Sequence, residues 1–187
     1  MEDERLRAVT VGDMPPAHQK IVIADYDPVW PSWFEEAAAR IRGVLGEVAL
    51  QIDHVGSTSV PGLPAKPLID INLLVADPAE ESAYVPQLET LGYVLRVREP
   101  DWYEHRMLRG TDPLVNLHVF PPGCAEADRV LLFRDWLRTN AADRDLYART
   151  KRELATRNWK YVQDYADAKS AVVSEILARA QETPARG

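Results

Sequence analysis

The stretch LIDINLLV, residues 68–75, narrows what this chain can fold into more than any other. Ile69, Ile71, Leu73 and Val75 alternate with Asp70 and Asn72, a period of two that fits a strand and not a helix. The apolar set needs a covering layer, so the opposite face carries the polar pair. An aspartate inside such a run is costly unless it is ion-paired, hydrogen-bonded or bound to a metal. Side chains at i and i+2 lie ~6.6 Å apart along a strand, close enough to converge on one ion. A structural pairing of Asp70 with a lysine or arginine satisfies the same requirement.

Immediately upstream lies HVGSTSVPGLPAKP, residues 54–67. Gly56, Ser57, Thr58 and Ser59 put small side chains where a strand gives way to a turn. Glycine allows close approach to the backbone, and free N–H groups in such a loop suit phosphate oxygens. The same composition also serves as a tight connector whose hydroxyls satisfy the backbone. Lys66, four residues before Asp70, is either its ion-pair partner or a phosphate ligand.

In the segment LVNLHVF, Asn116, His118 and Phe120 share one strand face. If this strand lies beside that of Asp70, His118 and Asn116 line the same cleft; a core histidine bonded to a carbonyl is the competing reading. In Asp53-His54 only one side chain can face inward. Lys169 falls on the apolar stripe of the last helix, where a lysine either reaches the edge or meets a buried acid or phosphate. Lys151 is a weaker candidate of the same kind, and solvation is its alternative. The chain lacks the P-loop, H-E-x-x-H, C-x-x-C and G-x-S-x-G patterns.

The remaining sequence supplies a scaffold. Residues 1–19 read as an extended or flexible arm, and Lys20 to Asp25 as a short strand. Phe34, Ala37, Ala38, Ile41, Val44 and Leu45 form a helical stripe that Gly46 stops. Strands are expected over 48–55, 68–75, 93–97, 102–108 and 114–120, with a short helix between Val75 and Gly92. From about 126 the chain is helical, over 126–139, 143–157 and 161–181, and residues 182–187 form a frayed tail. Strands early and helices late predict an α+β domain over 20–181, a mixed sheet flanked by helices with a helical C-terminal segment.

With 22 basic and 29 acidic residues, the net charge of −7 argues against a general nucleic-acid or anionic-membrane surface. A single cysteine excludes an intramolecular disulfide, and no apolar run approaches the ~20 residues of a membrane helix. With a charged N-terminus, these features lead us to expect a cytoplasmic protein.

YDPVWPSWF, HVGSTSVPGLPAKPLIDI, NLHVF, FRDWLR, the run Lys151-Arg152-Glu153-Leu154 and the late Lys169 together resemble the GrpB family, of the nucleotidyltransferase-like superfamily. The resemblance spans about 20–180 and implies a nucleotidyltransferase-like sheet with the Gly-Ser loop facing a nucleoside triphosphate. It implies Gly56 and Ser57 on phosphate oxygens and Asp70 on Mg²⁺, with nucleotidyl transfer to a small-molecule or protein acceptor. Asn72 stands where the superfamily has a second carboxylate. His118 stands near its third acidic position, as metal ligand or general base. One Asp, one Asn and one His hold Mg²⁺ less strongly than several carboxylates. Family members also occur fused to dephospho-CoA kinase, with a folding-assistance role assigned. A non-catalytic nucleotide-binding or interaction module is therefore the alternative.

Overall fold

The alternating segment forms the second strand of a five-stranded sheet in the computed structural model, which describes residues 2–182. The strands are β1 (Gln51–Val55), β2 (Ile69–Leu74), β3 (Val94–Glu99), β4 (His105–Thr111) and β5 (Leu114–Phe120). They lie in the order β1-β2-β5-β4-β3, with β2 and β5 parallel and the other neighbours antiparallel. The domain is therefore α+β, with a mixed sheet flanked by helices. Asp70 sits opposite Asn116 and Asn72 opposite His118, so the polar positions of both strands share one face.

The apolar face is covered by helices α2 (Trp30–Leu45) and α3 (Val85–Glu89). Pro31 falls in the first turn of α2, where its missing N–H costs nothing, and Gly46 ends the helix at φ +55°. Ala37, Ile41 and Leu45 then bury one stripe against Ile69, Ile71, Leu73, Leu117 and Val119. Each fully buried aliphatic side chain contributes about 1.5–3 kcal/mol to this layer.

Helices α4 (Ala125–Thr139), α5 (Ala141–Ala155), α6 (Val162–Ala168) and α7 (Ser170–Glu182) make a separate layer. It is joined to the sheet through the loop after β1. Val60 and Leu63 insert among Leu137, Tyr147, Ala148, Val172 and Ile176. Arg138 donates two hydrogen bonds to the Ser59 carbonyl at 3.0 and 2.9 Å, and Arg134 donates to the His54 carbonyl at 3.0 Å. These bonds satisfy one carbonyl of the edge strand β1 and one of the loop that follows it.

Strand ends shift by up to three residues from the sequence reading. In β4 the strand runs over His105–Thr111 against the expected 102–108, because a turn with Tyr103 and Glu104 at positive φ precedes it. Beyond such shifts the elements depart from the sequence reading in three places. Residues 20–25 do not form a strand; only Ala24 pairs, with Ala65. Pro64 and Pro67 flank this partner and lack the N–H that a longer ladder needs. The arm over 1–19 contains helix α1 (Glu2–Val9), a segment free of Gly and Pro, and then runs along the outer strand. Thr10 pairs with Val97, and Val11 donates to the Arg96 carbonyl at 2.8 Å. The helix expected over 161–181 breaks at Lys169 into α6 and α7. Residues 183–187 of the expected tail lie outside the described residues. Among the described residues, no helix is long and apolar enough to cross a membrane.

Candidate functional site

The polar sheet face, the Gly-Ser loop and the helical layer enclose two clefts of about 690 and 260 Å³. Both are lined by Asp70, Asn116, His118 and Gln163, so they meet at the centre of the sheet. Gly56 and Asn72 line the larger cleft; Ser57, Thr58, Lys66, Lys151 and Lys169 line the smaller. The candidates Gly56, Ser57, Thr58, Lys66, Asp70, Asn72, Asn116, His118, Lys151 and Lys169 thus reach one composite cavity, whereas Asp53, His54 and Ser59 do not line it.

Gly56 is at φ +69°, a conformation that L side chains rarely adopt, and it faces the aspartate directly. A Cβ there would lie 2.9 Å from the Asp70 Cβ and closer still to its carboxylate. Only glycine lets the loop backbone approach the acid this closely. Thr58 does not present a free hydroxyl. It is buried, donates to the Leu68 carbonyl at 3.3 Å and sits 3.0 Å from His54 Nε2. With its one proton given to Leu68, it accepts from the His54 ring. His54 is the inward member of its pair, stacked on Phe34 with centroids 4.7 Å apart. Burial pushes its pKa down to about 4.

Asp70 is held by its neighbours on the same face. Asn116 Nδ2 donates to Asp70 Oδ1 at 3.2 Å, and Arg109 donates to Asn116 Oδ1, which fixes the amide with its N–H toward the acid. Burial works against the Asp70 charge, but His118, Lys66 and Asn116 outweigh it and keep the carboxyl below its usual range. His118 Nε2 lies 3.8 Å from Asp70 Oδ1, too far for a hydrogen bond.

The smaller cleft is basic. Lys151 is 2 % exposed, and its amine donates to Ser57 Oγ at 2.8 Å and to the Pro64 carbonyl. Lys66 and Lys169 lie over the Tyr165 ring at 5.8 and 4.8 Å. Among the described residues, no carboxylate lies within 4 Å of any of the three amines. Burial lowers the pKa of all three, and the neighbouring Lys169 lowers it further at Lys66 and Lys151. Lys151 is pushed down to about 6. The break between α6 and α7 falls at Lys169 itself, so the lysine on the apolar stripe turns into the cleft.

Among the described residues, no three or more His, Cys, Asp or Glu side chains cluster closely enough to hold a metal. The donor set is one carboxylate, the imidazole of His118 and the amide of Asn72, whose Nδ2 is buried without a partner. Such a set does not form a closed cage for Mg²⁺. It does fit an ion completed by a ligand's own phosphate oxygens, the common arrangement for that metal.

The sequence reading did not single out Glu99, His105 and Arg109. His105 Nδ1 lies 2.7 Å from Glu99 Oε2, and its Nε2 lies 3.0 Å from His118 Nδ1. The alternation in HRMLR puts His105, Met107 and Arg109 on one face, but only the pairing of β4 with β5 makes it the cleft face.

The family model described as GrpB protein matches residues 20–179. A UPF0157 protein of Halalkalibacterium halodurans is 59% identical over 181 residues, covering 97% of this chain and 93% of that protein. A dephospho-CoA kinase of Mycobacterium leprae is 30% identical over 186 residues, covering 83% of this chain but 45% of that protein. The crystal structure of the conserved protein GrpB from Enterococcus faecalis superposes with a TM-score of 0.72 at 30% identity, covering 86% of this chain and 98% of that one. The match over nearly the whole sheet, Gly-Ser loop and helical layer establishes that the chain belongs to the GrpB family.

Proposed function

We propose that the composite cleft binds the phosphates of a nucleoside triphosphate and transfers a nucleotidyl group to a small-molecule or protein acceptor. One observation carries the reading: Lys66, Lys151 and Lys169 converge beside Ser57 and Asp70, and among the described residues none of the three amines has a carboxylate within 4 Å. Keeping buried amines charged without ion-pair partners is costly, and an oligophosphate supplies the missing charge. In this role the Gly56-Ser57 backbone and the three amines hold phosphate oxygens.

Asp70, with Asn72 and His118, would hold Mg²⁺ shared with those phosphates. When bound, the ion would supply neutralisation of phosphate charge and polarisation of the phosphorus. The chain's own groups bind and orient. Gly56 gives the phosphates close access, Asn116 aims Asp70, and the helical layer limits water on the basic side. The net charge of −7 argues against an extended basic surface for nucleic acid.

Asn72 favours a second reading, a nucleotide-binding or interaction module without transfer, because it leaves the site with one carboxylate. The match to part of a dephospho-CoA kinase chain is compatible with such an auxiliary domain.

A thermal-shift series with ATP, CTP, GTP and UTP, each with and without Mg²⁺, tests the binding. Metal-dependent stabilisation that disappears in Asp70→Ala is expected. No shift at saturating concentrations of any nucleotide would remove the proposal. Asn72→Asp separates the two readings: gained pyrophosphate release identifies a transfer scaffold limited by the native residue.

A further inference from the structure

The larger cleft has an apolar half to which phosphate binding gives no task. Leu6, Val9, Val97, Trp102, Met107 and Phe120 wall that half, while Asp70, Asn116 and His118 line the other end. At about 690 Å³ the cleft has room for a second small molecule beside an oligophosphate held by the amines of the smaller cleft.

Two local departures from regular structure build the sheet side of this wall. In an undisturbed strand Leu95 and Val97 would share a face. Leu95 instead packs in the core opposite Leu108, whereas Val97 pairs with Met107 and both line the cleft. The register shift between them is a β-bulge, and it re-aims Val97. After β3, Tyr103 and Glu104 stand at φ +55° and +51°, in the turn that leads from Trp102 into β4. Trp102 lies edge-on to Phe120 at 5.8 Å and stays 41 % exposed on the cleft wall.

The facing side is helix α1. Asp3 accepts from Lys160, in the loop before α6, at 2.7 and 2.6 Å, and Thr10 pairs with Val97 on β3. The helix therefore crosses from the outer strand to the helical layer, with Leu6 and Val9 lining the cleft. The family model matches residues 20–179, so α1 lies outside the matched region.

We propose that the apolar half of the larger cleft is the acceptor subsite, and that it takes a small molecule with an aromatic or aliphatic body whose polar end reaches Asp70. This rests on the nucleotide reading of the site and narrows its acceptor. Leu6, Val9, Val97 and Phe120 carry no hydrogen-bonding group and Met107 only a weak one, so the wall suits hydrocarbon surface and not the polar edges of a nucleobase. With α1 crossing between the layers, a small molecule fits beneath it and a folded protein surface does not. In the transfer, the nucleophilic oxygen or nitrogen of the acceptor bonds to the α-phosphorus and pyrophosphate leaves with its bridging oxygen. The proton displaced from the acceptor passes to water.

Methyl spectra of the whole chain labelled with carbon-13 methionine test the subsite. Met107 lies in it, and Met14 lies outside it as an internal control. The protein is titrated with phenylbutanol, octanol, adenosine and inorganic triphosphate. Either alcohol should move the Met107 signal saturably while Met14 stays in place, and triphosphate should not displace the alcohol. Leu6→Asp should weaken alcohol binding about tenfold, and Leu6→Ile should retain it. A Met107 signal that neither alcohol moves overturns the proposal. So does displacement of the alcohol by adenosine, which would make this half a nucleobase pocket. Unchanged affinity in Leu6→Asp also overturns it, because α1 would then form no part of the subsite. The wild-type titration decides even if a variant fails to fold. If the alcohols bind and neither triphosphate nor any nucleotide does, the nucleotide reading falls and the apolar subsite stands as a small-molecule site. If nucleotides bind and the alcohols do not, the acceptor subsite alone falls.

Discussion

Replacing Lys151 by Met probes the most costly group in the cleft. In the unfolded chain this lysine has a pKa of 10.5, and in the fold burial and the neighbouring Lys169 push it down to about 6. At pH 7 folding therefore releases its proton. At 1.36 kcal/mol per unit, moving from 10.5 to pH 7 costs about 5 kcal/mol. The amine returns part of this through its bonds to Ser57 and the Pro64 carbonyl, at about 1 kcal/mol each. Met keeps the stem's packing without the charge, so Lys151→Met should be more stable at pH 7 by about 2–3 kcal/mol. For a chain of this size that is a rise in Tm of roughly 5–10 °C.

The sign of the pH dependence is fixed by linkage. Between pH 6 and 10.5 the unfolded state binds the extra proton, so wild-type stability rises with pH through that window relative to the variant. The advantage of Met should shrink to near zero by about pH 9.5, where only about 1.4 kcal/mol of the penalty remains. Chemical denaturation at pH 6, 7, 8 and 9.5 measures this directly. The variant should also bind inorganic triphosphate about 10–100-fold more weakly by calorimetry, having lost a charge-assisted bond worth ~1.5–3 kcal/mol. A variant that is less stable than wild type by the same amount at every pH would refute the reasoning. It would mean that Lys151 is charged in the folded protein.

Gly56→Ala places a methyl group against Asp70 at a positive φ, and should lower stability by about 2–4 kcal/mol and abolish phosphate binding, as read by denaturation and calorimetry. Lys66→Ala and Lys169→Ala should each weaken triphosphate binding about tenfold or more, while Tm stays the same or rises, since both amines are desolvated. His54 has a pKa of about 4 in the fold against 6.5 unfolded, so the unfolded state gains a proton first on acidification. Stability is lost as pH falls from about 6.5 to 4, by up to ~3 kcal/mol. His54→Gln should flatten that part of the stability–pH curve. Arg138→Ala leaves the Ser59 carbonyl without its partner and should cost about 1–3 kcal/mol, with the Gly-Ser loop showing the largest rise in hydrogen exchange.

Much of the site was legible because strand periodicity is strict. The alternation in 68–75 and 114–120 placed Asp70, Asn72, Asn116 and His118 on matching faces, and the parallel pairing of β2 with β5 then made them neighbours. Lys169 was visible as a charge on an apolar stripe, but the helix break that turns it inward was not. Local propensity also favoured a strand at 20–25, whereas its only partner lies between two prolines. Thr58 looked like a phosphate ligand by type, and its hydroxyl is instead consumed by His54 and Leu68.

The sequence by itself determined most of the elements and the covered and uncovered faces of the central strands. These are properties of residues a few positions apart, where backbone geometry leaves few choices. Only the tertiary structure decided that Lys66, Lys151 and Lys169 share one cleft, because they come from a loop and two separate helical segments. The same holds for Glu99 and His105, whose link to His118 depends on how β3, β4 and β5 are ordered in the sheet. Strand order and helix docking are set by burial summed over the whole core, and no local stretch of sequence carries that sum.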